Sequence, residues 1–279
     1  IHRGAHTLAD RATRQFEETR ESVKAYIGAR ESSEIIFTRG TTESINLVAK
    51  TFGSTFIQKG DEIIISTLEH HSNIVPWQML CEQNGAILRI IPITDAGELV
   101  WEEFEKLLSS KTKLVSIVHA SNALGTINPA KKIIEAAHAV GAKVLLDGAQ
   151  STSHLDVDVQ ALDCDFLVFS AHKLYGPTGL GVLYGKRELL EAMPPFLGGG
   201  EMIREVTFEK TTYNTIPFKF EAGTPSIAEV IAFKSALDFI TSTGKANIHR
   251  HEHDLLQYAV ELLKDVKGVM PVGTAAEKI

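Results

Sequence analysis

The chain has 279 residues, 28 Lys and Arg against 35 Asp and Glu, a net charge of −7, and 44% hydrophobic against 23% charged residues. This is the balance of a folded globular chain; it excludes a largely disordered one and argues against nucleic acid as the main partner. No apolar run reaches the roughly 18 residues of a membrane span, no basic-then-apolar leader is present, and two cysteines without a C-x-x-C pair, Cys81 and Cys164, suit a reducing, cytoplasmic setting.

Apolar residues at Leu8, Ala12, Phe16, Val23 and Ile27 recur at helical spacing, and Gly28 closes that helix. Ile35 to Thr38 reads as a short buried strand, and Gly40-Thr41-Thr42-Glu43 turns from it into a helix carrying Ile45, Leu47, Val48 and Phe52. Such a turn sets backbone N–H groups and two hydroxyls at a helix N-terminus, which is either a plain cap or an anion site. Glu62 to Ser66 is the next strand, followed by Leu68-Glu69-His70-His71-Ser72-Asn73 and a helix from about Pro76. Ala86 to Ile93 reads as a strand, Trp101 to Leu108 as a helix, and Leu114 to His119 as a strand that runs into Ser121-Asn122-Ala123-Leu124-Gly125. Pro129 opens a helix that ends at Gly141. Val144 to Asp147 is an apolar strand ending on a carboxylate, followed by Gly148-Ala149-Gln150; Phe166 to Phe169 leads to Ser170-Ala171-His172-Lys173, and Gly181 to Tyr184 gives one more strand. From Gly198 to Thr212 the pattern reads as a long irregular excursion; Ile227 to Thr243 and Ile248 to Val266 read as helices, and Gly268 to Gly273 as the start of a strand.

Apolar strands alternating with amphipathic helices imply a three-layer α/β/α fold with a mostly parallel sheet. Ligands of such sheets bind beyond the carboxyl ends of the strands. Thr42, His70, Asn122, Asp147, Gln150, Ser170, His172 and Lys173 all fall at those ends, and their convergence points to a site. The division expected is a large domain over 1–243 and the beginning of a smaller one over 244–279. Ile1 in place of Met and the interior character of Ala275 to Ile279 suggest a segment of a longer chain.

Lys173 is either a lysine with its head in water at the end of a strand or an amine that forms a Schiff base with a carbonyl. A lysine, a strand-end aspartate and an anion site at a helix N-terminus match the needs of pyridoxal 5'-phosphate: an amine for the aldehyde, an acidic partner for the ring nitrogen, donors for the phosphate. Asp147 would hold the ring nitrogen protonated, and Thr41-Thr42, with Ser170 and His172, would take the phosphate. His249 and His253 share a helix face at i, i+4, but no further ligand completes a set, so a solvated face is expected and no metal.

The motifs Arg39-Gly40-Thr41-Thr42-Glu43, Glu69-His70-His71-Ser72-Asn73, Ser121-Asn122-Ala123-Leu124-Gly125-Thr126, Asp147-Gly148-Ala149-Gln150, Ser170-Ala171-His172-Lys173-Leu174-Tyr175-Gly176-Pro177 and Phe220-Glu221-Ala222-Gly223-Thr224-Pro225, in this order, resemble the fold-type I, class V aminotransferase-like enzymes. Within them the chain is similar to the SUF-type cysteine desulfurases, which are themselves similar to selenocysteine lyases. The resemblance implies that Lys173 is the Schiff-base lysine and a proton shuttle, that Asp147 faces the pyridine nitrogen, and that Gln150 lies near the ring hydroxyl. It implies that His70 stacks on the ring with an acid–base role, that Thr42, Ser170 and His172 bind phosphate, and that Asn122 contacts substrate and cofactor. It further implies that Thr224 reaches the cofactor of a neighbouring subunit in a homodimer, and that His2 and His6 border the entrance. The implied activity converts L-cysteine, or selenocysteine, to L-alanine and passes sulfur to an acceptor protein, as in iron–sulfur cluster assembly. The family's persulfide-forming cysteine and carboxylate-binding arginine belong to a later region, so the sulfur acceptor is expected outside this segment, with Cys81 and Cys164 as core residues. Other class V reactions (selenocysteine lyase, aminotransferase, epimerase) and a non-catalytic cofactor-binding paralogue remain alternatives.

Overall fold

The computed structural model describes residues 4–279. In chain order the elements are α1 (Thr7–Tyr26), β1 (Ile35–Thr38), α2 (Thr41–Val48), the single turn α3 (Ser54–Phe56), β2 (Glu62–Ser66), α4 (Val75–Asn84), β3 (Ile87–Ile91) and α5 (Trp101–Leu107). There follow β4 (Thr112–Val118), α6 (Ala130–Ala139), β5 (Lys143–Asp147), the short α7 (Ser151–His154) and α8 (Val159–Leu162), β6 (Phe166–Ser170), β7 (Gly181–Gly185) and α9 (Arg187–Ala192). The chain continues with β8 (Ile203–Val206), β9 (Thr211–Tyr213), α10 (Ile227–Thr243) and α11 (Lys245–Lys264).

Seven strands form one sheet in the order β1-β7-β6-β5-β4-β2-β3. Only β7 runs against its neighbours β1 and β6; the other six strands share one direction. Period-two alternation sends successive side chains to opposite faces, and both faces are apolar. Leu145, Phe166, Val168 and Leu183 join Ile45, Leu47, Trp77 and Leu80 on one side. Val144, Leu146, Leu167 and Phe169 join Phe16, Val23, Ile133 and Phe233 on the other. The result is the expected three-layer arrangement, with the carboxyl ends of β1, β2, β4, β5 and β6 on one edge of the sheet.

Two stretches differ from the sequence reading. The excursion after Gly198 contains an antiparallel hairpin, β8 with β9, pairing Ile203 with Tyr213 and Val206 with Thr211. Its turn is closed by side-chain chemistry that periodicity does not register: Thr207 Oγ1 accepts from the N–H groups of Glu209 (3.3 Å) and Lys210 (3.0 Å). The stretch Gly268 to Gly273 holds no strand. Beyond Pro271 and the left-handed Gly273 the chain returns to the segment after β4, where Ile127 N–H donates to Glu277 O (2.9 Å) and Ile279 N–H to Gly125 O (3.0 Å). Helix α11 buries none of its residues; it is held by Glu252 against His154 (2.7 Å) and by Lys245, whose amine donates to Tyr26 O and Asp156 (2.9 Å each).

One ion pair ties the front of the chain to its later part. The Arg20 side chain is 2% exposed and forks onto Glu221 at 2.8 and 2.9 Å, while Glu221 also accepts from Phe37 N–H (2.8 Å). Arg20 also donates to Ile35 O (2.7 Å) and lies over the Phe37 ring at 4.6 Å. Helix α1, strand β1 and the segment before Thr224 are therefore fixed by one guanidinium. Removing it leaves a buried carboxylate without its cation, so Arg20→Leu in the complete protein is expected to lower the unfolding free energy by about 3–5 kcal/mol. Arg14→Ala, which removes an exposed pair with Asp10, should change it by less than about 1 kcal/mol. Equal urea midpoints for the two variants would show that the buried pair contributes nothing special.

Candidate active site

The register of the sheet sets the site. Val118 of β4 lies opposite Asp147 of β5, Asp147 opposite Val168 of β6, and Ser170 opposite Gly181 of β7, which also faces Thr38 of β1. Beyond these ends lies an open cavity of about 220 Å³ lined by Thr41, Thr42, His70, Asn122, Asp147, Gln150, Ser170, His172 and Lys173, together with Ser72, Val118 and Ala149. Nine of the ten residues singled out for cofactor binding are thus brought together. Thr224 is not among them: it is exposed and lines a separate cleft of about 110 Å³ beside Arg39 and Glu43. His6 caps α1, its Nδ1 accepting from Ala9 N–H at 3.3 Å, and does not line the cavity; His2 lies outside the described residues.

One end of the cavity is built for an anion. The N-terminus of α2 follows β1 directly, and Thr41 N–H donates to Ser170 Oγ (2.8 Å), with the Thr41 and Ser170 hydroxyls also 2.8 Å apart. The helix start can come this close because Gly181 has no side chain: a Cβ there would meet the backbone of Gly40 at 2.4 Å. Free N–H groups of a first helical turn, the exposed Thr42 and His172, and the Ser170 hydroxyl then face the same space.

The other end is built for a cation. Asp147 is 2% exposed, and its carboxylate receives one protein hydrogen bond, from Ala149 N–H (2.9 Å). Burial pushes its affinity for a proton above the ordinary carboxylate value, while the Ala149 N–H and the charges of Lys173 and His70 pull the other way. A buried carboxylate with an oxygen still to satisfy fits a cationic N–H donor entering from the cavity. Lys173 is half-buried in a one-turn 3-10 segment after β6, and its amine makes no hydrogen bond or close ion pair among the described residues. The turn itself is fixed: Leu174 N–H (2.8 Å) and Gly176 N–H (2.9 Å) both donate to Ala171 O. An unengaged amine, a buried acid and an anion cradle in one cavity are the donor set that pyridoxal phosphate requires.

The sequence reading missed the support beneath His70. Glu69 is buried, and its carboxyl takes Ser66 Oγ–H (2.5 Å), Asn73 Nδ2–H (2.6 Å) and Val118 N–H (2.8 Å). Asn73 in turn accepts from Trp77 Nε1–H (2.9 Å) and Ser116 Oγ–H (2.6 Å). Glu69 occupies the gap where β2 and β4 part, taking a strand N–H and anchoring the residue before His70. The hint in the sequence is a charge in the turn just after an apolar strand, which usually means a solvated face. Next to Val118, His119 is buried as well, and burial lowers its proton affinity to about 4, so its ring is neutral.

Neither cysteine lines the cavity: Cys164 is fully buried in the core and Cys81 packs half-buried on α4. Among the described residues no group of three or more His, Cys, Asp or Glu side chains is arranged to hold a metal, and no helix is long and apolar enough to cross a membrane. His249 and His253 stand with ring centroids 6.3 Å apart on exposed α11.

Burial raises the Glu69 carboxyl from 4.5 to about 8, against its hydrogen bonds, and nearby Asp147 adds to the rise. An acid raised on folding binds more protons folded than unfolded between those values, so stability falls as pH rises from about 5 to about 8. Glu69→Gln, which imitates the protonated acid, should flatten that part of the urea-stability profile; an unchanged slope would rule out Glu69 as its source.

The family model described as aminotransferase class-V matches residues 1–278. The chain is 55% identical over 278 residues to a cysteine desulfurase of Synechococcus elongatus, covering 100% of this chain and 44% of that protein. It is 54% identical over 267 residues to a cysteine desulfurase of Dickeya dadantii, covering 95% of this chain and 65% of that one. Among solved structures it superposes on the cysteine desulfurase CsdA of Escherichia coli with a TM-score of 0.91 at 41% identity, covering 96% of this chain and 67% of that one. The chain thus spans from under half to about two thirds of the relatives it matches, and its fold is theirs, the fold type I of pyridoxal-phosphate enzymes. Matched by that family model over nearly its whole length, the chain belongs to the class-V aminotransferase family.

Proposed function

We propose that this chain forms the cofactor-binding part of a pyridoxal-phosphate-dependent cysteine desulfurase. The observation that carries the reading is the cavity itself, where Lys173, Asp147 and the α2 N-terminus meet, in a chain more than half identical to proteins of that name. When bound, pyridoxal phosphate supplies an aldehyde for an amine and a ring that withdraws electrons from the α-carbon of an amino acid.

The roles of the chain's own residues follow. Lys173 Nζ would hold the aldehyde, and as an amine it would also carry protons to and from substrate carbons. Asp147 keeps a proton on the ring nitrogen and compensates its charge. Thr41, Thr42, Ser170 and His172 hold the phosphate, Gln150 the ring hydroxyl, and Asn122 the substrate side. His70 would lie against the ring and take part in proton transfer. The net reaction takes L-cysteine and an enzyme thiol to L-alanine and a persulfide: the substrate C–S bond breaks, an S–S bond forms, and the β-carbon gains a proton. Cys81 and Cys164 do not meet that need, so the accepting thiol is assigned to residues outside these 279, with 244–279 read as the start of the small domain that would carry it.

Thr224, turned to a separate cleft, is consistent with service to a second subunit's phosphate, hence a homodimer. A cytoplasmic sulfur-acceptor protein, in iron–sulfur cluster assembly, completes the reading.

With added pyridoxal phosphate the complete protein should show a visible absorption band that Lys173→Ala abolishes; no band in the parent protein sinks the cofactor assignment. Supplied with L-cysteine and a thiol reductant, it should release sulfide and alanine in equal amounts, whereas pyruvate or another keto acid would redirect the assignment to a different class V reaction. Cys81→Ser and Cys164→Ala should each keep that turnover within about twofold, as expected of packing residues.

A further inference from the structure

His70 is held by a residue with no assigned part in the site. It caps the single turn His71–Asn73, and its Nδ1 lies 3.1 Å from Ser72 N and 2.8 Å from Ser72 Oγ. A backbone N–H can only donate, so Nδ1 presents its lone pair to it, and the proton of the neutral ring sits on Nε2. Charging the ring places a proton on Nδ1 as well. That proton would point at a second donor, were it not for the Ser72 hydroxyl, which can turn and accept it. Backbone and side chain of one residue thus serve the two charge states in turn.

We infer that Ser72 is the positioning residue of His70: its N–H fixes the neutral tautomer, and its Oγ accommodates the charged one. The inference rests on the reading above in which His70 works beside the cofactor. Its consequence is chemical. Nε2, which has no partner among the described residues, carries hydrogen in both charge states and therefore offers a permanent donor to an acceptor atom on a ligand. The other titratable groups near this ring are His71, whose ring centroid is 5.8 Å away in edge-on geometry, and Asp147 and Lys173 across the cavity.

The test uses the complete protein, labelled with 15N-histidine, with the His70 signals assigned by their loss in His70→Gln. Ser72→Ala keeps the N–H and removes the hydroxyl, so neutral His70 should stay the Nε2–H tautomer while its titration midpoint falls by about half a pH unit. Ser72→Thr, which restores a hydroxyl, should return the midpoint to that of the parent protein. The acidic limb of the pH–kcat profile should move with the midpoint in Ser72→Ala, and the Lys173-dependent visible band should persist in all three proteins. An unmoved midpoint in Ser72→Ala, an equal shift in Ser72→Thr, or an Nδ1–H tautomer in the parent protein would overturn the inference while leaving the cofactor reading intact. A midpoint that moves as stated in a protein without the visible band upholds Ser72 as partner of His70 and overturns the cofactor reading instead.

Discussion

A buried carboxylate at the end of β5 is the constraint around which this structure is arranged. Asp147 gains only one protein hydrogen bond for the hydration it loses, and a charge in that position is tolerable only opposite positive charge. The neighbours respond to that demand. Lys173 and His70 lie close enough for their charges to act on it, and burial raises the proton affinity of Glu69, a second buried carboxyl nearby. Two ionised carboxylates in this space would repel each other, and the charge of Asp147 adds to the rise at Glu69.

The same economy governs the scaffold. Because the strands around the site run parallel, their carboxyl ends present several side chains to one edge without any element bending toward the others. What must be precise is the spacing of those ends, and polar cross-links set it: Glu69 between the end of β2 and Val118 of β4, Ser170 between β6 and α2, and Arg20 with Glu221 behind β1. Apolar packing fills both faces of the sheet, but hydrogen bonds decide where the strands part and hence where the cavity opens.

Much of this was legible in the chain because periodicity encodes which faces are buried. Runs such as Val144 to Leu146 and Phe166 to Phe169 can only be internal strands, and the first polar residue after each marks a site position. Burial of a polar residue, by contrast, leaves no periodic trace. Glu69 and Ser72 read as ordinary turn residues, and only their tertiary partners reveal one as a spacer and the other as the companion of an imidazole. The hairpin after Gly198 and the return of residues 275–279 to Gly125 escaped for a related reason: each is secured by a few local or long-range hydrogen bonds, without an apolar face of its own. Thr224 illustrates the limit of motif reading. Its motif is plain in the sequence, but the cleft it faces is a property of the folded surface.

The contact between Gly40 and Gly181 also bears on how the site comes into being. Strand β1 joins the sheet only through β7, so the segment that presents Thr41 and Thr42 meets β6 after a loop of about 140 residues has closed, with the entropic cost and slow search that non-local pairing entails. Residues up to Lys173 already supply the amine, the acid and the imidazole, but the strand that pairs β1 with the sheet comes after them. A chain interrupted before Gly185 would keep these side chains without the strand that joins β1, and the start of α2 behind it, to the sheet.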